Sequence, residues 1–329
     1  MDIERILSTL HYKVYYYTGR NEHWRNHQNF GLQYKWTESE QDNDKLKSLL
    51  GGGNPFFIGR YGTIELGCFL KGFRVYNRHD NKSLIKIIKS IIFSEPECWK
   101  LGSANKALQT NAGVFPLSED TLKQFTEVYL DASKQLDLLA SWQDNEKWLA
   151  EYGILNHPEK IDYNIIEFAF RLKDPWTEAL EGKKVLVVSP FAQDIVRQYN
   201  SEHRDKLFTN KKFLPRFDLK SLTSVNSAGR GNNVGFKDWF QALEQMKSQI
   251  SQVDFDIALL GCGAYAFPLG AYIKNIGKQA ITVCGALQTY FGIYGNRTAN
   301  LPERNKYWVR PNSNTRPKGF EKIEGSAYW

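Results

Sequence analysis

Residues 55–67 read Pro-Phe-Phe-Ile-Gly-Arg-Tyr-Gly-Thr-Ile-Glu-Leu-Gly. The apolar run Phe56–Ile58 predicts a buried strand that ends at Gly59, and Leu66–Leu70 predicts the start of a helix. A polar turn separates the two. In α/β proteins ligands usually bind where a strand passes into a helix, because backbone amides and a helix N-terminus are exposed there. This stretch therefore predicts both an α/β fold and the position of a binding site.

The polar turn carries one cation and one carboxylate, Arg60 and Glu65. Glu65 is our candidate metal ligand or catalytic carboxylate, because group transfer needs a carboxylate-held divalent ion or a base for the acceptor hydroxyl. Arg60 is the second catalytic candidate. An Arg60–Glu65 ion pair that only fixes the turn explains the same residues. The candidate substrate-binding residues of this turn are Tyr61, Gly62 and Thr63.

A second informative segment lies between residues 254 and 285. It contains an apolar strand at Asp256–Leu260, a glycine turn at Gly261–Tyr265, a helix at Phe267–Ile276 and another strand at Gln279–Cys284. Strand, helix and strand in this order predict a βαβ unit with parallel strands and a right-handed crossover.

The glycine turn of this unit has two of the three glycines in the dinucleotide-binding pattern Gly-x-Gly-x-x-Gly, because Ala266 stands at the sixth position. The strand that follows ends in Cys284-Gly285, without the acidic residue that binds a ribose hydroxyl, which argues against NAD. A phosphate or nucleotide site stays open, and a packing role for the glycines is the alternative. The candidate binding residues here are Gly261, Gly263 and Tyr265.

The rest of the chain supports an α/β fold. Strands are predicted at Lys184–Val188 and Lys220–Val225. Helices are predicted at Met1–Lys13, Ser83–Phe93, Ser118–Leu130, Tyr163–Arg171, Ala192–Asn200 and Asp238–Ile250. Residues 18–46 are predicted as an arm or loop, and Asp131–Ala150 as helix and loop. The alternation predicts a doubly wound, mostly parallel Rossmann-like sheet with helices on both faces.

Three regions are predicted along the chain: an N-terminal helix and arm at 1–54, a Rossmann-like domain at 55–295 and a C-terminal extension at 296–329. The domain carries a predicted helical insertion at about 118–180. A disordered tail rarely ends in Tyr-Trp, so we expect the extension to pack on the domain over the crevice. Basic residues exceed acidic ones there, and Arg310 is our candidate for holding a diphosphate, with a solvated surface as the alternative.

Three further residues are candidates for ligand contacts. Ser189 follows the strand Lys184–Val188, at the sheet edge that faces the crevice in open α/β folds. It could hydrogen-bond a phosphate or ribose, or it could cap the next helix. Asn111 lies in a loop-like segment, and we place it among the substrate-binding residues. Trp142 could stack on a sugar or base, or it could lie in the core.

Composition restricts the functional classes. The 329 residues carry a formal net charge of +7 without basic blocks, which argues against nucleic acid and suits an anionic nucleotide-sugar or an acidic membrane surface. Aromatic residues make up 14% and suit the faces of sugars and bases. The scattered cysteines indicate reduced thiols, and neither a secretory signal nor a membrane span is predicted. We therefore expect a cytoplasmic protein, with peripheral membrane association as an option.

Together these motifs resemble those of the GT-D-type glycosyltransferases. Arg60-Tyr-Gly-x-x-Glu65-Leu after a buried strand resembles the family motif Arg-Phe-Gly-Asp-Gly-Glu-Leu. The segment Leu260–Gly285 is similar to the second family signature, a glycine turn and helix followed by Gly-x-Gln-Ala-x-Asp-x-Gly. The resemblance covers roughly residues 55–290. The chain also looks like proteins of capsule and exopolysaccharide gene clusters that end in Glu-Gly-x-x-Tyr-Trp.

The resemblance implies a UDP-sugar donor, a glycan or lipid-linked glycan acceptor, and a divalent Mn²⁺ or Mg²⁺ ion held by an Asp-x-Glu motif. Glu65 matches the glutamate of that motif, whereas Thr63 stands where the family has aspartate. Val283 replaces the aspartate of the second signature. The expected function is sugar transfer in surface-polysaccharide or glycoconjugate assembly, with metal dependence open.

Two alternatives stay open. The chain could be a non-catalytic nucleotide- or glycan-binding partner of a polysaccharide machine, because the aspartate of the first motif is absent. It could also be another Rossmann-like transferase, such as a methyltransferase, because of the glycine turn at Gly261–Gly263.

Overall fold

The structure, a computed structural model, describes residues 36–76, 103–155, 159–229, 234–313, 316–317 and 319–329. Within these ranges the strands form one sheet: β1 Phe56–Gly59, β2 Leu138–Ser141, β3 Glu159–Asp162, β4 Lys184–Ser189, β5 Asp218–Thr223, β6 Ile257–Leu260 and β7 Gln279–Thr282. The order is β3-β2-β1-β7-β6-β4-β5, and each neighbouring pair is parallel. The predicted Rossmann-like α/β fold is confirmed.

Helices cover both faces of the sheet. They are α1 Trp36–Gly51, α2 Thr63–Tyr76, α3 Ser103–Thr110, α4 Glu119–Ser133, α5 Lys147–Glu151, α6 Asn164–Glu167, α7 Ala192–Tyr199, α8 Trp239–Ser251 and α9 Ala266–Asn275. Two of them begin at side-chain caps: Ser118 accepts a hydrogen bond from the third backbone N–H of its helix, and Asp238 does the same. In the described part of the chain, no helix has the length and apolar character that a membrane span needs.

The strands send alternate side chains into two apolar layers. In β1, Phe57 belongs to the layer that includes α2, α4, α8 and α9. Phe56 and Ile58 belong to the opposite layer, with α1, α6 and α7. Burial on both faces is characteristic of parallel sheets, and it explains why these strands read as continuous apolar runs.

Helix α9 approaches β1 closely at Gly270. A Cβ at this position would lie 2.2 Å from Cε2 of Phe57. One turn earlier, Phe267 packs edge-on against the same ring, with 5.0 Å between the ring centroids. The absence of a side chain at Gly270 therefore sets the distance between helix and strand.

Part of the predicted N-terminal arm is instead helix α1. Leu46 and Leu50 lie one turn apart and are fully buried. The buried Asn43 accepts a hydrogen bond from the Trp176 backbone N–H and donates one to the Asp174 carbonyl. The sequence of α1 is mostly polar, so its helical state depends on these distant partners, which the local pattern does not reveal.

The region at about 118–180 is not a helical insertion, because it contributes β2 and β3 to the sheet. Strand β2 lies in the segment Asp131–Ala150 that was predicted as helix and loop. Its sequence, Leu-Leu-Ala-Ser, lacks β-branched residues and becomes a strand through pairing on both sides. Strand β3 is an edge strand whose first residues, Glu159 and Lys160, are exposed, so it carries no apolar signal.

The helix predicted at Tyr163–Arg171 is wrong in length, because only α6 and a separate 3-10 turn at Ala169–Arg171 form there. The predicted helices at Met1–Lys13 and Ser83–Phe93 lie outside the described residues. The other predicted strands and helices are present with small shifts of their ends.

The C-terminal extension contacts the domain through tryptophans. Trp308 and Trp329 are each 5% exposed. The ring of Trp329 lies 5.4 Å from that of Phe191 and 5.9 Å from that of Phe320, measured between centroids. These contacts bring the last residues of the chain next to the segment that follows β4.

Candidate functional site

The carboxyl ends of the strands meet along one edge of the sheet, where a cavity of about 350 Å³ opens. Segments that follow each of the strands β1–β7 line it. The chain leaves the neighbouring strands β4 and β6 in opposite directions along the sheet, which opens a crevice between their ends. The volume lies in the range of small-molecule sites.

Most of the sequence-predicted site residues come together at this cavity. Those that line it are Arg60, Gly62, Thr63, Glu65, Asn111, Ser189, Gly261, Gly263 and Tyr265. Trp142 also lines the cavity and is 41% exposed, so it is not a core residue. The loops after β1 and β6, far apart in sequence, therefore form one site.

Two predicted residues, Tyr61 and Arg310, do not line the cavity. Tyr61 is fully buried, and its hydroxyl is hydrogen-bonded to Ser133 Oγ at 2.7 Å. Arg310 donates to Oδ1 of Asn296 at 3.0 Å, and its guanidinium carbon lies 5.0 Å from the ring centre of Tyr294. The structure supports no direct binding role for either side chain.

Three of the lining residues already have protein partners. Ser189 Oγ accepts a hydrogen bond from the Phe191 backbone N–H at 3.1 Å, but Phe191 and not Ser189 is the N-cap residue of α7, so the capping interpretation is wrong. The hydroxyl of Tyr265 is hydrogen-bonded to Ser227 Oγ at 3.1 Å. Asn111 Oδ1 accepts a long hydrogen bond, 3.5 Å, from a backbone N–H of the C-terminal extension. A ligand would meet only their remaining surfaces.

Arg60 is held between two aromatic rings. Its guanidinium carbon lies 4.5 Å from the ring centre of Trp142 and 4.9 Å from that of Tyr163. Its backbone N–H donates to Thr282 Oγ1 at 2.7 Å, which ties the loop after β1 to β7. Burial lowers the pKa of Arg60, but its neighbours, Cys284 first, outweigh burial and raise it, so the group stays charged.

The Arg60 side chain has an unused donor. Its Nε is buried and has no hydrogen-bond partner among the residues that the structure describes. Buried donors are almost always paired, so an unpaired donor beside a cavity calls for a ligand or water. A guanidinium group in such a place is suited to an oxyanion.

Glu65 lies in the first turn of α2, and its side chain lines the cavity. The carboxylate folds back over Gly62, where a Cβ would lie 2.0 Å from Oε2, so this placement requires glycine. Within the described ranges Glu65 forms no ion pair, so the pair with Arg60 that only fixes the turn is not formed.

Burial raises the pKa of Glu65, while its own backbone N–H and the charge of Arg60 oppose the shift. A raised pKa brings a carboxyl group closer to the pH range in which it can both accept and release a proton. The environment of Glu65 is therefore suited to proton transfer.

Several residues that the sequence did not single out complete the cavity. They are Tyr163, Glu167, Cys284, Arg297, Glu324 and Tyr328. Burial raises the pKa of Tyr328, and the charges of Arg297 and, to a smaller extent, Arg60 oppose this shift. Arg297 belongs to the predicted basic extension, but no local signal distinguishes it from Arg310.

Cys284 lies two residues after the end of β7, and it has a left-handed backbone with φ 56°. The Arg60 guanidinium lies near its side chain and acts to lower the pKa of the thiol. Burial nevertheless raises the pKa of Cys284, against the opposing effect of Arg60. Since the thiolate is the reactive form, this environment does not favour Cys284 as a nucleophile.

The residues present fit a divalent ion only if a ligand brings part of its coordination shell. The described side chains contain no group of three or more His, Cys, Asp or Glu that could hold a metal. Glu65 and Glu324 line the cavity and offer carboxylate oxygens, and Thr63 offers a hydroxyl. Mg²⁺ needs one or two protein carboxylates when phosphate oxygens and waters complete its shell. Glu65 would be the first protein ligand of such an ion.

Glu146 supports the loop that carries Trp142. It is 3% exposed, and its carboxylate accepts hydrogen bonds from Ser141 Oγ and from the Trp142 backbone N–H. Burial raises the pKa of Glu146 to about 7, although these hydrogen bonds oppose the shift. The folded protein therefore binds this proton more tightly than the unfolded chain does.

We expect Glu146→Gln to become more stabilising as the pH rises. The stability that the folded protein gains by binding this proton is fully present below the usual pKa of 4.5, and it is lost as the pH rises through about 7. Gln keeps the shape without a buried charge, so its advantage in unfolding free energy should grow by about 3 kcal/mol between pH 4.5 and pH 8. Urea unfolding of both proteins measures this, with the exposed Glu127→Gln as control. A pH-independent difference would contradict the expectation.

The two family-like motifs lie on the same cavity, one after β1 and one after β6. Val283, which directly follows β7, is fully buried in the core. Comparisons with models of known protein families, with curated proteins and with solved structures found no match.

Proposed function

We propose that this chain is a glycosyltransferase with a nucleotide-sugar donor, a UDP-sugar in the first instance, in surface-polysaccharide or glycoconjugate assembly. The observation that carries the proposal is that two guanidinium groups, of Arg60 and Arg297, share a cavity with the carboxylate of Glu65, which forms no ion pair within the described ranges. Guanidinium groups bind phosphate oxygens through charge-assisted hydrogen bonds. A nucleoside diphosphate supplies such oxygens.

The donor would lie across the ends of β1, β4 and β6. Gly263 has a left-handed backbone with φ 60°, and a Cβ there would meet only Ala112 O, at 3.5 Å. This open glycine turn allows a ligand to approach the backbone. Trp142 offers an exposed ring face on which a sugar or base could stack.

In the proposed reaction the acceptor hydroxyl attacks the anomeric carbon of the donor sugar, and Glu65 accepts the hydroxyl proton. The bond from that carbon to the diphosphate oxygen breaks, and the oxygen keeps the electron pair. Arg60 and Arg297 stabilise the charge that develops on the departing diphosphate. A bound Mn²⁺ or Mg²⁺ ion would neutralise part of the same charge.

We propose that the reaction takes place in the cytoplasm, with a glycan or lipid-linked glycan acceptor at the inner face of a membrane. The net charge of +7 suits an acidic membrane surface. Cys68, Cys262 and Cys284 form no disulfide in the described part of the chain, which is compatible with a reducing compartment.

Isothermal titration with UDP and UDP-sugars, with and without Mn²⁺, tests the donor site. We expect saturable binding that is lost in the Arg60→Gln/Arg297→Gln double variant and retained in Arg310→Gln, because Arg310 lies outside the cavity. No heat with any nucleotide or nucleotide-sugar would reject the donor site. Nucleotide binding without transfer or hydrolysis would favour a non-catalytic binding protein, and S-adenosylmethionine binding would indicate a methyltransferase.

A further inference from the structure

The C-terminal residues form one wall of the cavity. The lining residues of this wall are Glu324, Tyr328 and Trp329. A long irregular segment separates them from β7, the last strand of the sheet. Trp329 anchors this wall, because it is buried between the rings of Phe191 and Phe320. The wall is therefore attached to the loop after β4 and is part of the folded domain.

A tight turn presents Glu324 at the cavity. Glu324, Gly325 and Ser326 have left-handed backbones, with φ values of 45°, 63° and 65°. Residues other than glycine rarely adopt this conformation, and it persists where surrounding contacts hold it in place. Here the Glu324 backbone N–H donates to Asn111 Oδ1 at 3.5 Å, and the anchored Trp329 follows.

The guanidinium group of Arg297 stacks on the ring of Tyr328. The guanidinium carbon lies 5.1 Å from the ring centre. Both side chains pass over Gly285, where a Cβ would lie 2.6 Å from Arg297 Nη2 and 2.7 Å from Tyr328 Cε1. The ring and the bare backbone of Gly285 therefore fix the position of Arg297 from two sides.

The Tyr328 hydroxyl also holds the carboxylate of Glu324. It donates a hydrogen bond to Glu324 Oε2 at 3.1 Å, and the same oxygen lies 3.9 Å from Arg297 Nη1. Charge-assisted hydrogen bonds between such groups are about 2.7–2.9 Å long, so Glu324 and Arg297 form a long ion pair without a hydrogen bond. The hydroxyl thus leaves the Arg297 donors accessible to a ligand.

We propose that Tyr328 is a positioning residue that prepares Arg297 to bind a diphosphate anion. Its ring holds the guanidinium group over Gly285, and its hydroxyl keeps Glu324 from forming a hydrogen bond with that group. The inference rests on the proposed function only for the identity of the ligand, a diphosphate that belongs to a nucleotide. Arg310 is a matched comparison, because it also lies on a tyrosine ring but outside the cavity.

The experiment is a titration of inorganic pyrophosphate and of UDP into the full-length protein and its variants. Tyr328→Leu removes ring and hydroxyl, and we expect the Kd to rise about tenfold. Tyr328→Phe keeps the ring but frees Glu324 to compete for Arg297, and we expect a rise of about threefold to fivefold. Adding Glu324→Gln to Tyr328→Phe removes the competing charge and should restore the wild-type Kd.

Controls separate this effect from unfolding and from the choice of ligand. Arg297→Gln should lose binding, Arg310→Gln should retain it, and thermal unfolding should show that each variant is folded. An unchanged Kd in both Tyr328 variants would overturn the inference and leave the donor proposal standing. Binding of pyrophosphate but not UDP would overturn the nucleotide donor, and the Tyr328 variants would then be judged on pyrophosphate. Binding of neither anion would overturn both.

Discussion

Glu65→Gln is expected to lower the rate of sugar transfer by about 10³-fold, while UDP titrated without a divalent ion binds almost as it does to the wild type. Gln has the shape of Glu and fits over Gly62 in the same way, but it can neither accept the acceptor proton nor carry charge. Release of UDP from a UDP-sugar measures the rate, and isothermal titration measures binding. If the rate and UDP binding fall together, or if neither falls, Glu65 does not take part in the chemical step.

The pH dependence of the same reaction gives an independent check on Glu65. Because burial raises its pKa, the wild-type rate should rise with pH through a value above that of an ordinary glutamate. The residual rate of the Glu65→Gln variant should not show this rise with pH. The exposed Glu127→Gln serves as the control and should keep both the rate and its pH profile.

Gly270→Ala is expected to destabilise the fold by about 3 kcal/mol, the largest effect on stability that we expect from a single methyl group. The added Cβ would lie 2.2 Å from a ring atom of Phe57, in the layer between α9 and β1. Both the helix and the central strand are held by neighbours, so neither can move away without loss of packing. The free energy of urea unfolding measures the effect.

Gly51→Ala is the matched control for this substitution. It also adds a methyl group to a helical glycine, but no atom lies within 4 Å of the new Cβ. We expect a change of less than about 1 kcal/mol, in the stabilising direction. Replacing Phe57 by Leu in the Gly270→Ala protein should recover part of the lost stability. Equal effects of the two glycine substitutions would show that helix propensity, and not the contact with Phe57, is responsible.

Two of the correctly predicted strands have residues that are apolar on both faces and an apolar run that ends at glycine. Phe56–Gly59 and Ile257–Leu260 are of this kind. Strands β2 and β3 escaped prediction because pairing in the sheet, of β2 with β1 and of β3 with β2, decides their state. Helix α1 escaped for a similar reason, since Asn43 finds its partners more than a hundred residues away. Local patterns do not record such contacts.

The candidate site also has one part that the sequence predicts and one part that distant contacts decide. The loops after β1 and β6 could be predicted, because parallel topology places both at one edge of the sheet. The direction of a side chain at the end of a strand could not be predicted, and Tyr61 points into the core beside its neighbour Arg60. The sequence also does not distinguish Arg297 from Arg310, because both lie in the same basic extension. Even in the structure each of them lies on a tyrosine ring. Only the path of the irregular extension decides which arginine reaches the cavity.

The stacking of Arg60 on Trp142 gives the protein an intrinsic optical reporter. The indole combines 41% exposure with a position on the cavity wall, whereas the rings of Trp176 and Trp239 are buried and do not line the cavity. A ligand that displaces water from the indole or draws the cation away would alter the emission of this fluorophore. Occupancy of the crevice can then be followed by fluorescence, with no label attached to the protein.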